Sequence, residues 1–209
     1  MAFVLPQFPV GQVTMPNMPV ALRVFEPRYL NLMGELMGST SPQFGIPLYS
    51  QAVEPGEAPN VLTVGTLIRV SDIGMRDDFV SVTGMGRSRY VVTKWLEPGP
   101  YPRAEVEFLP ELVWDERFDS VALRVELEVR NLLSRASRFG ELPWDTDAEI
   151  SDDRVEALWQ LAGMLPIDAR ESHNLLAAES LEELCEDVLA VCEAGQRFLD
   201  RVERESESD

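Results

Sequence analysis

The 209 residues include 45% hydrophobic side chains, enough to bury one sizeable core and a smaller second one. With 36 acidic against 18 basic residues the formal charge is −18, so nucleic acid and anionic lipid are disfavoured as partners, while basic or unfolded polypeptide is not. Residues 1–22 are uncharged, but Pro6, Pro9, Pro16 and Pro19 exclude a membrane-spanning helix and no basic segment precedes them as in a secretion signal; a cytoplasmic protein is expected.

Up to about Leu112 the chain consists of short apolar, alternating runs punctuated by glycine and proline, the signature of β structure. The expected strands are AFVLP, PVALRVF, FGIPLY, VLTVGTLIRVSDI, DFVSVTGM, GRSRYVVTKWL and PRAEVEFL. One helix interrupts them. It starts at Pro27, a favoured first helical residue, carries Tyr29, Met33 and Leu36 at helical spacing, and has Gly38 past its end. The strand spacing predicts a closed or half-closed antiparallel barrel. GMGRSRY, with its two glycines, is expected to turn between two strands rather than to hold a phosphate.

Beyond Val113 the apolar period changes from two to three and four. DERFDSVALRVELEVRNLLSRASRFG places Phe118, Val121, Ala122, Val125, Leu132 and Ala136 near one helical face. SDDRVEALWQLAGMLP places Val155, Leu158, Trp159 and Ala162 on one stripe, with acidic residues in the first turn and Pro166 as a stop. A short helix fits around DARESHNLLAA. The last helix opens with Ser180 and Glu183 in capping-box spacing and turns Leu181, Leu184, Cys185, Val188, Leu189 and Cys192 inward. Cys185 and Cys192, seven apart on one helix, stand about 10 Å from each other, beyond disulfide reach, and are expected in the core. The expected organisation is α+β: a β-barrel lobe over residues 1–112, a helical-bundle lobe over 113–203, and a disordered acidic tail over 204–209.

Most routes to catalysis lack a part. A nucleotide-hydrolysing motor needs a glycine loop ending in lysine and a hydroxyl residue, and the only lysine, Lys94, lies in VVTKWL. The only histidine, His173, cannot serve the adjacent Ser172, because neighbours on a helix do not face each other. Ser88 lies on the same strand as Lys94, about 20 Å away if extended. One histidine and two helical cysteines do not make a zinc set. Neither enzymatic activity nor a cofactor or metal is expected.

Taken in order, VALRVFEPRYLNLM, FGIPL, VGTLIRVSDI, GMGRSRYVV and YPRAEVEFLPE resemble the Lon N-terminal domain, the substrate-binding domain of ATP-dependent Lon proteases, over roughly residues 3–200. FEPRY is the most specific part of that resemblance. It implies a PUA-like antiparallel β-barrel lobe followed by a helical lobe, in a free-standing version without ATPase or peptidase parts. The implied function is non-catalytic recognition of unfolded or partly folded polypeptides, with a separate protease or chaperone as a further partner. An RNA-binding PUA-like module and a peptidase-associated protein working with a separate ATP-dependent protease are the alternatives.

Five residues are candidates for partner contact. Met15 and Met18 lie in a proline-rich loop that would present an adaptable apolar surface. Arg28, at the strand-to-helix joint, would either pair with a carboxylate such as Glu26, whose side chain would accept amide hydrogens of the first helical turn, or line a groove. Arg87 and Arg89 alternate onto one strand face, where they would meet phosphates in the RNA reading.

Overall fold

The computed structural model describes residues 2–49, 61–97 and 99–206. They form two compact units, Met1–Glu111 and Leu112–Asp209.

The first unit contains β1 (Phe3–Pro6), β2 (Pro19–Val24), α1 (Pro27–Met37), β3 (Gln43–Tyr49), β4 (Val61–Met75), β5 (Val80–Trp95) and β6 (Arg103–Phe108). The strands make an antiparallel sheet in the order β1-β6-β5-β4-β3, with β2 also paired to β5. β5 organises it: β4 runs along one side, and the other side takes β2 from Val80 to Met85 and then β6 from Tyr90 to Trp95. Beyond β1, Gln7 and Val10 form isolated parallel bridges to Gly45 and Leu48, and the Phe8 amide donates to the Gly45 carbonyl at 2.8 Å. These isolated parallel bridges are what joins the ends of an open, antiparallel six-stranded sheet, where the strand spacing predicts a closed or half-closed antiparallel barrel. Pro47 is tolerated in β3 because that strand ends the sheet and needs no second ladder.

Two expected strands are one. DFVSVTGM and GRSRYVVTKWL run without a turn through β5, so GMGRSRY is mid-strand. Its glycines serve close approach instead: a Cβ on Gly86 would collide with the Met15 carbonyl oxygen, and one on Gly84 would stand 2.7 Å from that of Arg69. The Gly86 backbone accepts from the Asn17 amide at 3.0 Å and donates to the Met18 carbonyl at 2.9 Å. A side chain there would exclude the loop that the strand holds.

Successive residues of β4 serve two cores. Ile68 joins Val20, Val24, Val82 and the inner face of α1 (Leu32, Met33, Leu36), while Leu67 joins Leu5, Tyr90, Val92 and Val106. Such burial contributes about 1.5–3 kcal/mol per large side chain. In the second core the Tyr90 hydroxyl, with no exposed surface on its residue, donates to Gln7 Oε1 at 2.6 Å.

The second unit opens with a 3-10 turn, Glu116–Phe118, then α2 (Asp119–Ala136), α3 (Arg154–Met164), α4 (Ala169–Leu176) and α5 (Leu181–Ser206). The acidic residues at helix starts act as caps: Asp153 accepts from the amides of Val155 and Glu156, both at 3.0 Å, and Asp168 from Arg170 and Glu171. Ser180 Oγ accepts from the Glu183 amide at 3.1 Å, while the Glu183 carboxylate reaches back to the Glu179 amide, one residue before the reciprocal partner of a capping box. Val125, Val129, Leu132 and Leu133 of α2 are buried, as are Leu184, Cys185, Val188 and Cys192 of α5. Leu132 packs against Gly195, and Arg135 reaches across to Asp200 and Glu203 at 2.7 and 2.8 Å. Those pairs, with Arg204 Nε donating to the Asp200 carbonyl, belong to a helix that runs on to Ser206; residues 204–206 are helical rather than the disordered tail expected, and 207–209 lie outside the described residues.

Candidate functional site

The FEPRY stretch bends the chain out of β2 into α1. Glu26 has the extended backbone of an N-cap, and its carbonyl accepts from the Tyr29 and Leu30 amides at 2.9 and 3.0 Å. Its carboxylate caps nothing, contrary to expectation, and pairs with Arg28 Nε at 3.1 Å instead. Pro27, lacking an amide hydrogen, already removes one orphan donor from the first turn. With side-chain exposures of 60% and 45% the ion pair contributes about 0–1 kcal/mol. The Arg28 guanidinium also lies 5.5 Å over the ring of Tyr29, which packs inward on Phe8 with ring centroids 4.2 Å apart.

Three apolar side chains at this joint and along α1 are also exposed. Phe25 is 68% exposed, Leu30 38% and Met37 53%. Leu30, Gly34 and Met37 recur at i, i+4 and i+7, a row about 10 Å long on the outer face of α1. A Cβ at Gly34 would find nothing within 4 Å, so the row has a shallow notch at its centre. Six large apolar residues among the 11 of α1 exceed what one buried stripe requires, and the surplus is this row. That surplus is legible in PRYLNLMGELM, where Leu30 and Met37 fall outside the stripe of Tyr29, Met33 and Leu36. β2, which leads into it, pairs with β5 on one side, and among the described residues no strand pairs with its other edge.

The five sequence-predicted contacts do not come together. Met15 and Met18 are buried at 2% and 6% exposure, not displayed. Their loop is pinned to the sheet by the Gly86 bonds and by Thr66 Oγ1 donating to the Thr14 carbonyl at 2.6 Å. Arg87 is exposed, whereas Arg89 is 6% exposed and donates to the Pro110 carbonyl at 3.1 Å. The cause is a β-bulge: Gly86 lies opposite Ile68 and Arg89 opposite Thr66, three residues of β5 against two of β4, which breaks the alternation that would put both arginines on one face. The paired phosphate contact of the RNA reading is thereby lost. Arg28 is exposed, and its recorded partners are Glu26 and the Tyr29 ring.

Titration shifts mark burial rather than reactivity. Burial pushes Tyr90 well above its ordinary value, with the Gln7 hydrogen bond opposing, and raises Tyr101, hydrogen-bonded to Glu35, to about 12. Burial raises the free thiols of Cys185 and Cys192 to about 11 and about 12, so neither is a thiolate near neutral pH. Among the described residues no group of three or more histidine, cysteine, aspartate or glutamate side chains is placed to hold a metal ion, and no helix is long and apolar enough to cross a membrane.

Residues 4–192 match the family model of the ATP-dependent protease La (LON) substrate-binding domain. Two solved structures share the fold. The Lon N-terminal domain protein from Xanthomonas campestris aligns at 23% identity and a TM-score of 0.61, covering 90% of this chain and 98% of that one. The N-terminal domain of the Mycobacterium avium complex Lon protease aligns at 16% identity and a TM-score of 0.68, covering 91% and 98%.

Proposed function

The chain belongs to the family of ATP-dependent protease La (LON) substrate-binding domains, and on that premise we propose that it is a non-catalytic module that captures exposed apolar segments of unfolded or partly folded polypeptides. The observation that carries the reading is the exposure of Phe25, at the end of β2, and of Leu30 and Met37 on α1, together with an edge of β2 that no strand covers among the described residues. An extended segment would add to β2 through main-chain hydrogen bonds, which are indifferent to sequence, while its apolar side chains cover the row. Each anchor covered contributes on the order of 1–2 kcal/mol. Affinity is then modest and release fast, as suits a module that delivers its cargo to a separate protease or chaperone in the cytoplasm. Arg28, exposed in the first turn of α1, would meet backbone carbonyls or a carboxylate of the bound chain.

Fluorescence anisotropy of a labelled, permanently unfolded polypeptide tests this, with a labelled RNA oligomer alongside at the same salt. Saturable polypeptide binding without RNA binding is expected. Leu30→Asp combined with Met37→Asp should weaken it at least tenfold with the melting temperature unchanged, because both side chains are already exposed. Undiminished affinity in that variant would remove the row from the mechanism.

A further inference from the structure

A second depression, lined by apolar and polar side chains in near-equal measure, lies wholly within the helical unit. It has a volume of about 380 Å³ and is lined by residues of α2 and α3 and by residues 150–152. Its origin is a packing mismatch: Ala122 of α2 and Ala157 of α3 line the same depression, and neither is long enough to fill it. Leu158 and Leu161, each 2% exposed, form the floor, and Leu123, 70% exposed, stands as an open wall. At this volume, near the low end of the roughly 300–1,000 Å³ range of ligand sites, it admits apolar side chains rather than a large ligand.

The rim is acidic. Asp119, Glu126 and Asp152 line it; Asp119 holds Arg154, which lies 5.1 Å over the Trp114 ring, and Glu126 holds Arg130 at 2.8 Å, so the three carboxylates outnumber their two guanidinium partners by one. The wider field has the same sign. Residues 112–209 contain 25 acidic and 10 basic side chains, whereas residues 1–111 contain 11 and 8, so most of the −18 belongs to the unit that carries this groove. Low-dielectric walls focus such a potential into a cleft. Apolar floor and negative rim together favour a side chain that is apolar at its tip and flanked by positive charge, and repel the same side chain flanked by carboxylates.

We propose that the α2–α3 groove is a second docking site, for apolar residues flanked by arginine or lysine in a client polypeptide. This rests on the chain being a polypeptide-binding module and adds a preference that the row on α1 does not supply.

The test uses the full chain and three labelled 15-residue peptides: leucines flanked by arginine, leucines flanked by glutamate, and serines flanked by arginine. The arginine–leucine peptide should bind at least tenfold more tightly than either other. Ala157→Leu, which fills the groove, and Leu123→Gln, which alters only its exposed wall, should each weaken that peptide several-fold, whereas Leu30→Asp with Met37→Asp should not. Equal binding of the glutamate-flanked peptide overturns the charge argument, equal binding of the serine peptide overturns the apolar one, and wild-type affinity in both groove variants overturns the site. If the long unfolded polypeptide binds while none of the three peptides does, the groove proposal alone fails; if nothing binds, the reading of the chain as a capture module fails with it.

Discussion

Replacing Met15 by alanine separates the two roles open to the proline-rich loop. As a displayed contact, Met15 would govern binding and leave stability alone; at 2% exposure it governs stability. Truncating a buried methionine to alanine costs about 2–5 kcal/mol, the spread reflecting how far the surroundings collapse into the cavity. Here collapse is resisted. The Thr14 carbonyl is tied to Thr66, Asn17 and Met18 are tied to Gly86, and Asn17 sits in the left-handed region at φ 59°. The expected loss is therefore about 3 kcal/mol, a large share of the roughly 5–15 kcal/mol that holds a typical domain folded. For a unit of this size that lowers the melting temperature by roughly 10 °C or more. Urea and thermal unfolding followed by near-ultraviolet circular dichroism would measure it, with Met37→Ala, at 53% exposure, expected within about 0.5 kcal/mol of the parent. An unchanged melting temperature for Met15→Ala together with lost polypeptide binding would refute the placement of this loop in the core.

Tyr90→Phe should cost about 1–3 kcal/mol, because it strands the buried Gln7 Oε1 acceptor without filling space; a urea midpoint equal to that of the parent would show that Gln7 finds another donor. The thiols yield a pH dependence. Cys185 and Cys192 are raised from an ordinary 9.0 to about 11 and about 12, so the fold favours their protonated forms. Their contribution is complete below about pH 9 and is lost as pH climbs from there through about 11 and about 12, since within that window the unfolded chain binds fewer protons than the native one. At pH 8 a thiol-specific disulfide reagent should therefore react only at the rate of unfolding, and reaction within the mixing time of native protein would contradict their burial.

Periodicity, caps and composition are local, and they determined most of the architecture. The switch from period two to period three and four divides β from α structure near Leu112, Pro27 starts α1, Asp153, Asp168 and Ser180 start the helices they precede, and the cysteine spacing rules out a disulfide. Five apolar segments from VALRVFEPRYLNLM onward carried the family resemblance, because the joint they make is built from neighbours in the chain. Whatever depended on distant pairing was decided only in three dimensions. Tyr90 reaches Gln7 across 83 positions, and Thr66 reaches Thr14 across 52, the latter with the Gly86 bonds holding in place a buried loop whose prolines and methionines suggest exposure. One extra residue in β5 against β4 parts Arg87 from Arg89, and glycines that resemble a turn are places where another backbone comes close. Strand alternation predicts a face only while the register is unbroken, and a bulge is a property of two strands together; neither strand's sequence contains it alone.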